Sequence, residues 1–236
     1  MIKVVKPKIL SIHLTGTGGY GERLPIDGKP DKYISHVAIR IQREILPEIG
    51  NEHMYVGKGG LWVAPERKAR KFLERNLGPN DLVCFVGHSW GVRDWFQRVQ
   101  RRLLASGHLV TGRNWVGVVS ADMEWGAGLF RDNKEYHAPP VDWGYNLYQP
   151  DGLGGTYIHW MLSGGKVVGR NTKVNATHRY IDTSDEVKKA IHALYTAAKL
   201  ELAKRTKAAT DERPAIVQSG MEGGRSEKRW DSDDKD

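Results

Sequence analysis

The chain has 236 residues, 39% of them hydrophobic, and its lysines and arginines outnumber its acids by eight. That is enough apolar material for one core, or one core with a lid, while no apolar run approaches the roughly 18–20 residues a membrane span requires. The single cysteine, Cys84, excludes an internal disulfide and any C-x-x-C redox or zinc pair.

At the N-terminus, Lys6, Pro7 and Lys8 interrupt the apolar residues before a signal-peptide core can form, so a cytoplasmic, unprocessed chain is expected. The charge is uneven. From Asp211 onward there are eight acids and five bases, a balance of −3, which leaves +11 for residues 1–210. Much of it lies at Arg67–Lys71, Arg98–Arg102 and Lys199–Lys207, each on a predicted helix where a solvated face is the ordinary reading. An anionic surface stays open as a partner through the overall field; no nucleic-acid motif accompanies the charge, so no specific nucleic-acid partner is expected.

Lys8–Leu14 (KILSIHL) reads as a first core strand. It runs into a loop in which Gly16, Gly18 and Gly21 spell G-x-G-x-x-G, but Pro25, Gly28 and Pro30 follow where a dinucleotide site needs a helix. A glycine-rich loop after an early strand suits another task, aiming backbone N–H groups at a developing oxyanion. Residues 33–49 have apolar positions at helical spacing (Ile34, Val37, Ala38, Ile41, Ile45), and 53–56 reads as a short strand. Ala64-Pro65-Glu66 opens a helix expected to run to about Leu77.

Leu82–Val86 is then a short apolar run, long enough for a strand buried on both faces. It passes into Gly87-His88-Ser89-Trp90-Gly91 and a predicted helix over 92–105. A G-x-S-x-G between a buried strand and a helix is the context of a nucleophile elbow: the glycines let strand and helix approach, and Ser89 Oγ is presented at the edge of the sheet. Asn114–Ser120 is the next strand candidate. Residues 126–165, rich in Gly, Pro, Asp and aromatics, read as a long loop serving as a lid or substrate wall, and 166–168 as one more short strand. Thr183 with Glu186 forms a capping box for a last helix reaching about Ala208, and 211–236 reads as a disordered tail after a domain spanning 1–210. Alternating strands and helices imply an α/β fold, a mostly parallel sheet of five or six strands with helices on both faces.

A serine hydroxyl needs a base and a carboxylate that orients the base. The chain order expected with an elbow is serine, acid, histidine. Asp122, two residues beyond the strand end at Ser120, is the leading acid, with Asp142 and then Glu124 behind it. His178, on a loop five residues before Thr183, is the leading base. His13 ends the first strand and is placed to line the oxyanion loop; His88 sits in the elbow; His36, His53 and His108 come too early, and His192 lies inside the last helix. His137 and His159 remain weaker competitors. The oxyanion donors expected are the backbone N–H of Trp90 and one from Thr15 or Gly16.

These pieces resemble the α/β-hydrolase superfamily and, within it, lipase- and esterase-type serine hydrolases. The matching segments are IHLTGTGG at 12–19, LVCFVGHSWG at 82–91, VVSADMEWG at 118–126 and THRYIDTSDEVKKAI at 177–191, and the segment at 143–149 is similar to small bacterial and phage lipase-like proteins. The resemblance implies hydrolysis of a carboxylic ester through Ser89, His178 and Asp122 without cofactor or metal. It leaves thioesterase, amidase and acyltransferase chemistry open. The substrate is left between a small ester, a lipid and an acylated glycan, with Trp125, Tyr136, Trp143, Tyr145, Tyr148, Tyr157 and Trp160 as candidate lining. Two readings of other classes stand beside it: a non-catalytic binding module on the same fold, and an electrostatic binder of a membrane surface or nucleic acid.

Overall fold

The computed structural model describes residues 6–16, 33–58, 65–123, 135–149, 156–161, 170–178 and 180–211. Among them β1 (Ile9–Thr15), β2 (Met54–Lys58), β3 (Leu82–His88) and β4 (Trp115–Ala121) alternate with α1 (Ile34–Ile45), α2 (Pro65–Asn76) and a helical run over 90–105. That run is α3 (Trp90–Asp94), a π-helical stretch (Trp95–Gln100) and α4 (Arg101–Ala105). Then come β5 (Glu135–His137), β6 (Trp143–Tyr148), β7 (Tyr157–His159), β8 (Arg170–Lys173) and the 27-residue α5 (Asp185–Asp211).

Six strands form one sheet in the order β2-β1-β3-β4-β6-β8, and every neighbouring pair is parallel. From β1 the chain steps outward to β2, then crosses back past β1 to β3 and continues away. The direction reverses between β1 and β3, and the carboxyl ends of those two strands flank the crevice that such a reversal opens. Crossovers that keep one hand while stepping in opposite directions put their helices on opposite faces.

The burial pattern agrees. β1, β3 and β4 are buried along their whole length, as their apolar runs require. Ile9, Leu82, Cys84, Val86, Val119 and Ala121 pack under α1 and α5. The alternate residues Leu10, Ile12, Leu14, Val83, Phe85, Val116 and Val118 pack under α2 and the 90–105 run. On that second face Phe85 stacks on Trp95, their ring centroids 4.5 Å apart and 10° from coplanar. The two-stranded β5–β7 sheet adds Tyr136 and Ile158 to the same core, and Trp160 closes against Gly144 of β6.

Several expectations are corrected. Residues 126–165 are not one long loop: β5, β6 and β7 lie within it, and β6 is part of the central sheet; 124–134, 150–155 and 162–169 lie outside the described residues, as does the strand expected at 166–168. α1 stops at Ile45 rather than near 49, because Pro47 cannot continue it, and Leu46 closes it by donating to the Gln42 carbonyl. The elbow helix begins at Trp90 and contains the π stretch. The last helix starts at Asp185, with Ser184 Oγ accepting the Val187 N–H at 3.3 Å; Thr183 is instead part of a 3₁₀ turn over Ile181–Thr183. α5 extends through Asp211, and the tail expected beyond it lies outside the described residues. No helix among the described residues is long and apolar enough to cross a membrane.

Candidate active site

Three neighbouring strands, β3, β4 and β6, end side by side, and their turns are stitched together by backbone hydrogen bonds. Ser89 N–H, just past β3, donates to Ala121 O at the end of β4 (3.0 Å). Asp122 N–H, just past β4, donates to Leu147 O in β6 (2.6 Å). Gln149 N–H, just past β6, returns to the Asp122 carboxylate at Oδ1 (3.2 Å). The parallel register therefore carries Ser89 and Asp122 to one edge, each on a turn braced by the next strand.

Both turns are conformationally costly. Ser89 has φ 54° and ψ −124°, and Asp122 has φ 48°, a region where non-glycine residues are strained. Ser89 is held there by close approach on both sides. A Cβ on Gly91 would run into the Leu14 carbonyl of β1, and one on Gly16 would sit 2.8 Å from Ser89 Cβ and 3.2 Å from its Oγ. Gly16, in the loop that leaves β1, thus lies directly against the serine.

His178 arrives from the opposite end of the chain, in the turn between β8 and α5. Its Nδ1 is 2.6 Å from Asp122 Oδ2 and its Nε2 is 3.0 Å from Ser89 Oγ. A carboxylate only accepts, so Nδ1 carries the proton; in the neutral ring Nε2 is then bare and accepts the serine hydroxyl. Asp122 is fully buried and Ser89 nearly so, whereas the His178 side chain keeps 23% of its surface open to solvent. The arrangement can draw a proton from an oxygen nucleophile at a position a small molecule can reach.

The expected oxyanion donors are partly placed. Trp90 is the first residue of α3, so its N–H has no carbonyl within the helix to bond. Gly16 touches Ser89; Thr15 is the last residue of β1, and its hydroxyl donates to Gly57 O (3.4 Å). Residues 17–32 of the same loop lie outside the described residues.

The other candidates have different work. Asp142 pairs with the start of β4: its carboxylate accepts Val116 N–H (2.8 Å) and its own N–H donates to Val116 O (2.8 Å). Glu124 and Trp125 are outside the described residues. His13 does not line the oxyanion loop. It faces α5, fully buried, its Nε2 2.7 Å from Tyr195 Oη, and burial pushes it down to about 3. His137 and His159 stack on each other across β5–β7, with centroids 4.7 Å apart, and His159 meets Glu135. Of the aromatics expected to line the site, Tyr136 and Trp160 are core residues, whereas Tyr148, the residue before the Gln149 contact with Asp122, meets Tyr157 edge to face. Among the described residues no group of three or more His, Cys, Asp or Glu is arranged to hold a metal ion.

Two residues beside His178 were not singled out as part of the site. His88 Nε2 lies 2.9 Å from the His178 carbonyl oxygen, and burial lowers its pKa to about 4. Asp182 accepts the Ile34 N–H at the start of α1, and burial raises its carboxyl to about 6. These shifts fix a pH dependence of stability. Below pH 6.5 the unfolded chain takes up protons that folded His13 and His88 refuse, so each histidine costs between about 2 and 3 kcal/mol by pH 4.5. Asp182 works the other way: its raised pKa means that stability is gained as pH falls from 6 towards 4, about 2 kcal/mol. Urea unfolding is expected to show a net loss of about 3 kcal/mol between pH 7 and 4.5, and about 5 kcal/mol in Asp182→Asn, which lacks the offset. An equal loss in both proteins contradicts the assignment for Asp182.

Compared with protein-family models, with curated proteins and with solved structures, the chain matches none.

Proposed function

We propose that the protein is a serine hydrolase of the α/β-hydrolase type that cleaves a carboxylic ester through an acyl-enzyme. The observation that carries this reading is the unbroken chain from Ser89 Oγ to His178 Nε2 (3.0 Å) and from His178 Nδ1 to Asp122 Oδ2 (2.6 Å). The strained serine between a buried strand and a helix, the order serine, acid, histidine, and the parallel six-stranded sheet support it. The family's usual sheet has eight strands, so this would be a reduced version.

In this mechanism Ser89 Oγ attacks the acyl carbon while its proton passes to His178 Nε2. Asp122 stabilises the imidazolium through Nδ1–H. The tetrahedral oxyanion is met by the Trp90 N–H and by backbone at Gly16. His178 returns the proton to the departing alkoxide, leaving an acyl-Ser89 and a free alcohol; water, deprotonated by the same imidazole, then releases the acid.

The test is covalent. A fluorophosphonate should give one adduct on intact protein, mapped to Ser89 by peptide mass spectrometry. A protein left unlabelled at Ser89, under conditions where a known serine esterase is fully labelled, would count against the reading and favour a binding module on the same scaffold.

A further inference from the structure

His88 precedes the serine in the elbow, and the alternation of β3 turns it towards the α1 and α5 face, with Cys84 and Val86. That is the side from which the chain carrying His178 descends into α5. The two imidazoles meet there. Their centroids are 4.7 Å apart, tilted by 37°, and His88 Nε2 lies 2.9 Å from the backbone oxygen of His178.

A carbonyl oxygen only accepts, so His88 Nε2 must carry the proton. Burial keeps this ring uncharged above about pH 4, which leaves Nδ1 as a bare lone pair. That nitrogen lies 3.6 Å from the point where a Cβ on Gly16 would stand, so it borders the oxyanion loop without being able to donate to an oxyanion. His88 therefore touches both walls of the crevice and grips one of them by its backbone.

We propose that His88 is a positioning residue for the general base: its Nε2–H holds the His178 carbonyl, and its ring forms an uncharged floor under the His178 imidazole. The inference rests on the hydrolase reading for its kinetic arm, but not for its spectroscopic one. A turn residue such as His178 has no strand to fix it, and a 1 Å drift of the base from Ser89 is enough to cost about a hundredfold in rate. The floor must be neutral as well as close. During turnover His178 becomes a cation, and a second charge at ring contact would oppose that step. Among the described residues, the charged and titratable groups facing this pair are Asp122, on His178, and Asp182, which senses His178 from the following turn.

The experiment compares wild type with His88→Gln, which keeps an N–H donor, and His88→Met, which keeps bulk without one. Imidazole ¹⁵N–¹H spectra read the tautomer and titration of His178 in each; ester turnover and fluorophosphonate labelling read the chemistry. In His88→Met the expected result is a changed His178 titration, a fall in kcat and in labelling rate of about ten- to a hundredfold, and a KM within threefold. His88→Gln should recover at least tenfold of that fall and the wild-type His178 titration. The inference is overturned if His178 titrates and labels in His88→Met as in wild type, or if Gln behaves no better than Met. Should His88→Met fail to fold, Gln decides alone, since a Gln variant with a shifted His178 titration also overturns it. A wild type that never labels removes the hydrolase reading, while the His178 spectra still answer whether His88 holds it.

Discussion

Ser89→Ala is expected to lower p-nitrophenyl ester turnover by about 10⁴- to 10⁶-fold and to abolish fluorophosphonate labelling. The range follows from what remains. Alanine removes the oxygen that His178 Nε2 is placed to activate, but the Trp90 N–H and the Gly16 backbone are left to bind a substrate carbonyl. A residual rate above that in water is therefore expected, with KM little changed. The fold should tolerate the change, because alanine fills the same site and removes no backbone contact: Ser89 N–H still reaches Ala121 O. Folded Ser89→Ala protein that hydrolyses the ester within tenfold of wild type would place the nucleophile elsewhere.

Asp122→Asn is expected to cost about 10⁴-fold in kcat, and the reason is a proton on the wrong nitrogen. The buried carboxylate uses Oδ1 to accept Gln149 N–H and Oδ2 to accept His178 Nδ1–H. In asparagine one of those positions becomes an amide donor. Gln149 N–H is fixed by the end of β6 and requires the oxygen, so the NH₂ group is turned towards His178. Nδ1 must then accept, the imidazole proton moves to Nε2, and the atom facing Ser89 Oγ no longer takes up a proton. Asparagine also tolerates the left-handed backbone at φ 48°, so stability should change far less than rate. The discriminating readout is the imidazole tautomer: a wild-type tautomer in a variant that has lost activity contradicts this account.

How far these residues could be read beforehand follows from the physics of each. The elbow was legible because a strand buried on both faces must be an apolar run, and Leu82–Val86 is one. Asp122 and His178 were found by chain order rather than by local pattern, and the geometry brings both to Ser89. β5, β7 and β8 were not legible. EYH and YIH are three residues long, and RNTK has no apolar side chain at all. β8 exists because β6 supplies its partner register and because Asn171 satisfies both backbone groups of Ile158 with one amide. The capping box pointed at Thr183 by spacing, but the chain enters α5 through a 3₁₀ turn that uses Thr183 and leaves Ser184 at the cap. His88 could be placed in the elbow but not beside His178, because its partner is a backbone oxygen ninety residues away, which no side-chain pattern records.

The all-parallel sheet has a further consequence, for the order in which a growing polypeptide acquires reactivity. Parallel neighbours need long crossovers, so Lys8 at the foot of β1 waits 73 residues for Asp81. Ser89 waits a further 89 residues for His178, which is seated only when α5 packs Val187, Ile191, Leu194 and Tyr195 against the sheet. A ribosome releases the chain from its N-terminal end at about 5–20 residues per second, so Ser89 emerges seconds before His178 is made. In the hydrolase reading, the emerging chain carries an inert hydroxyl until α5 docks, and the docking that seats His178 is also what switches on nucleophilicity.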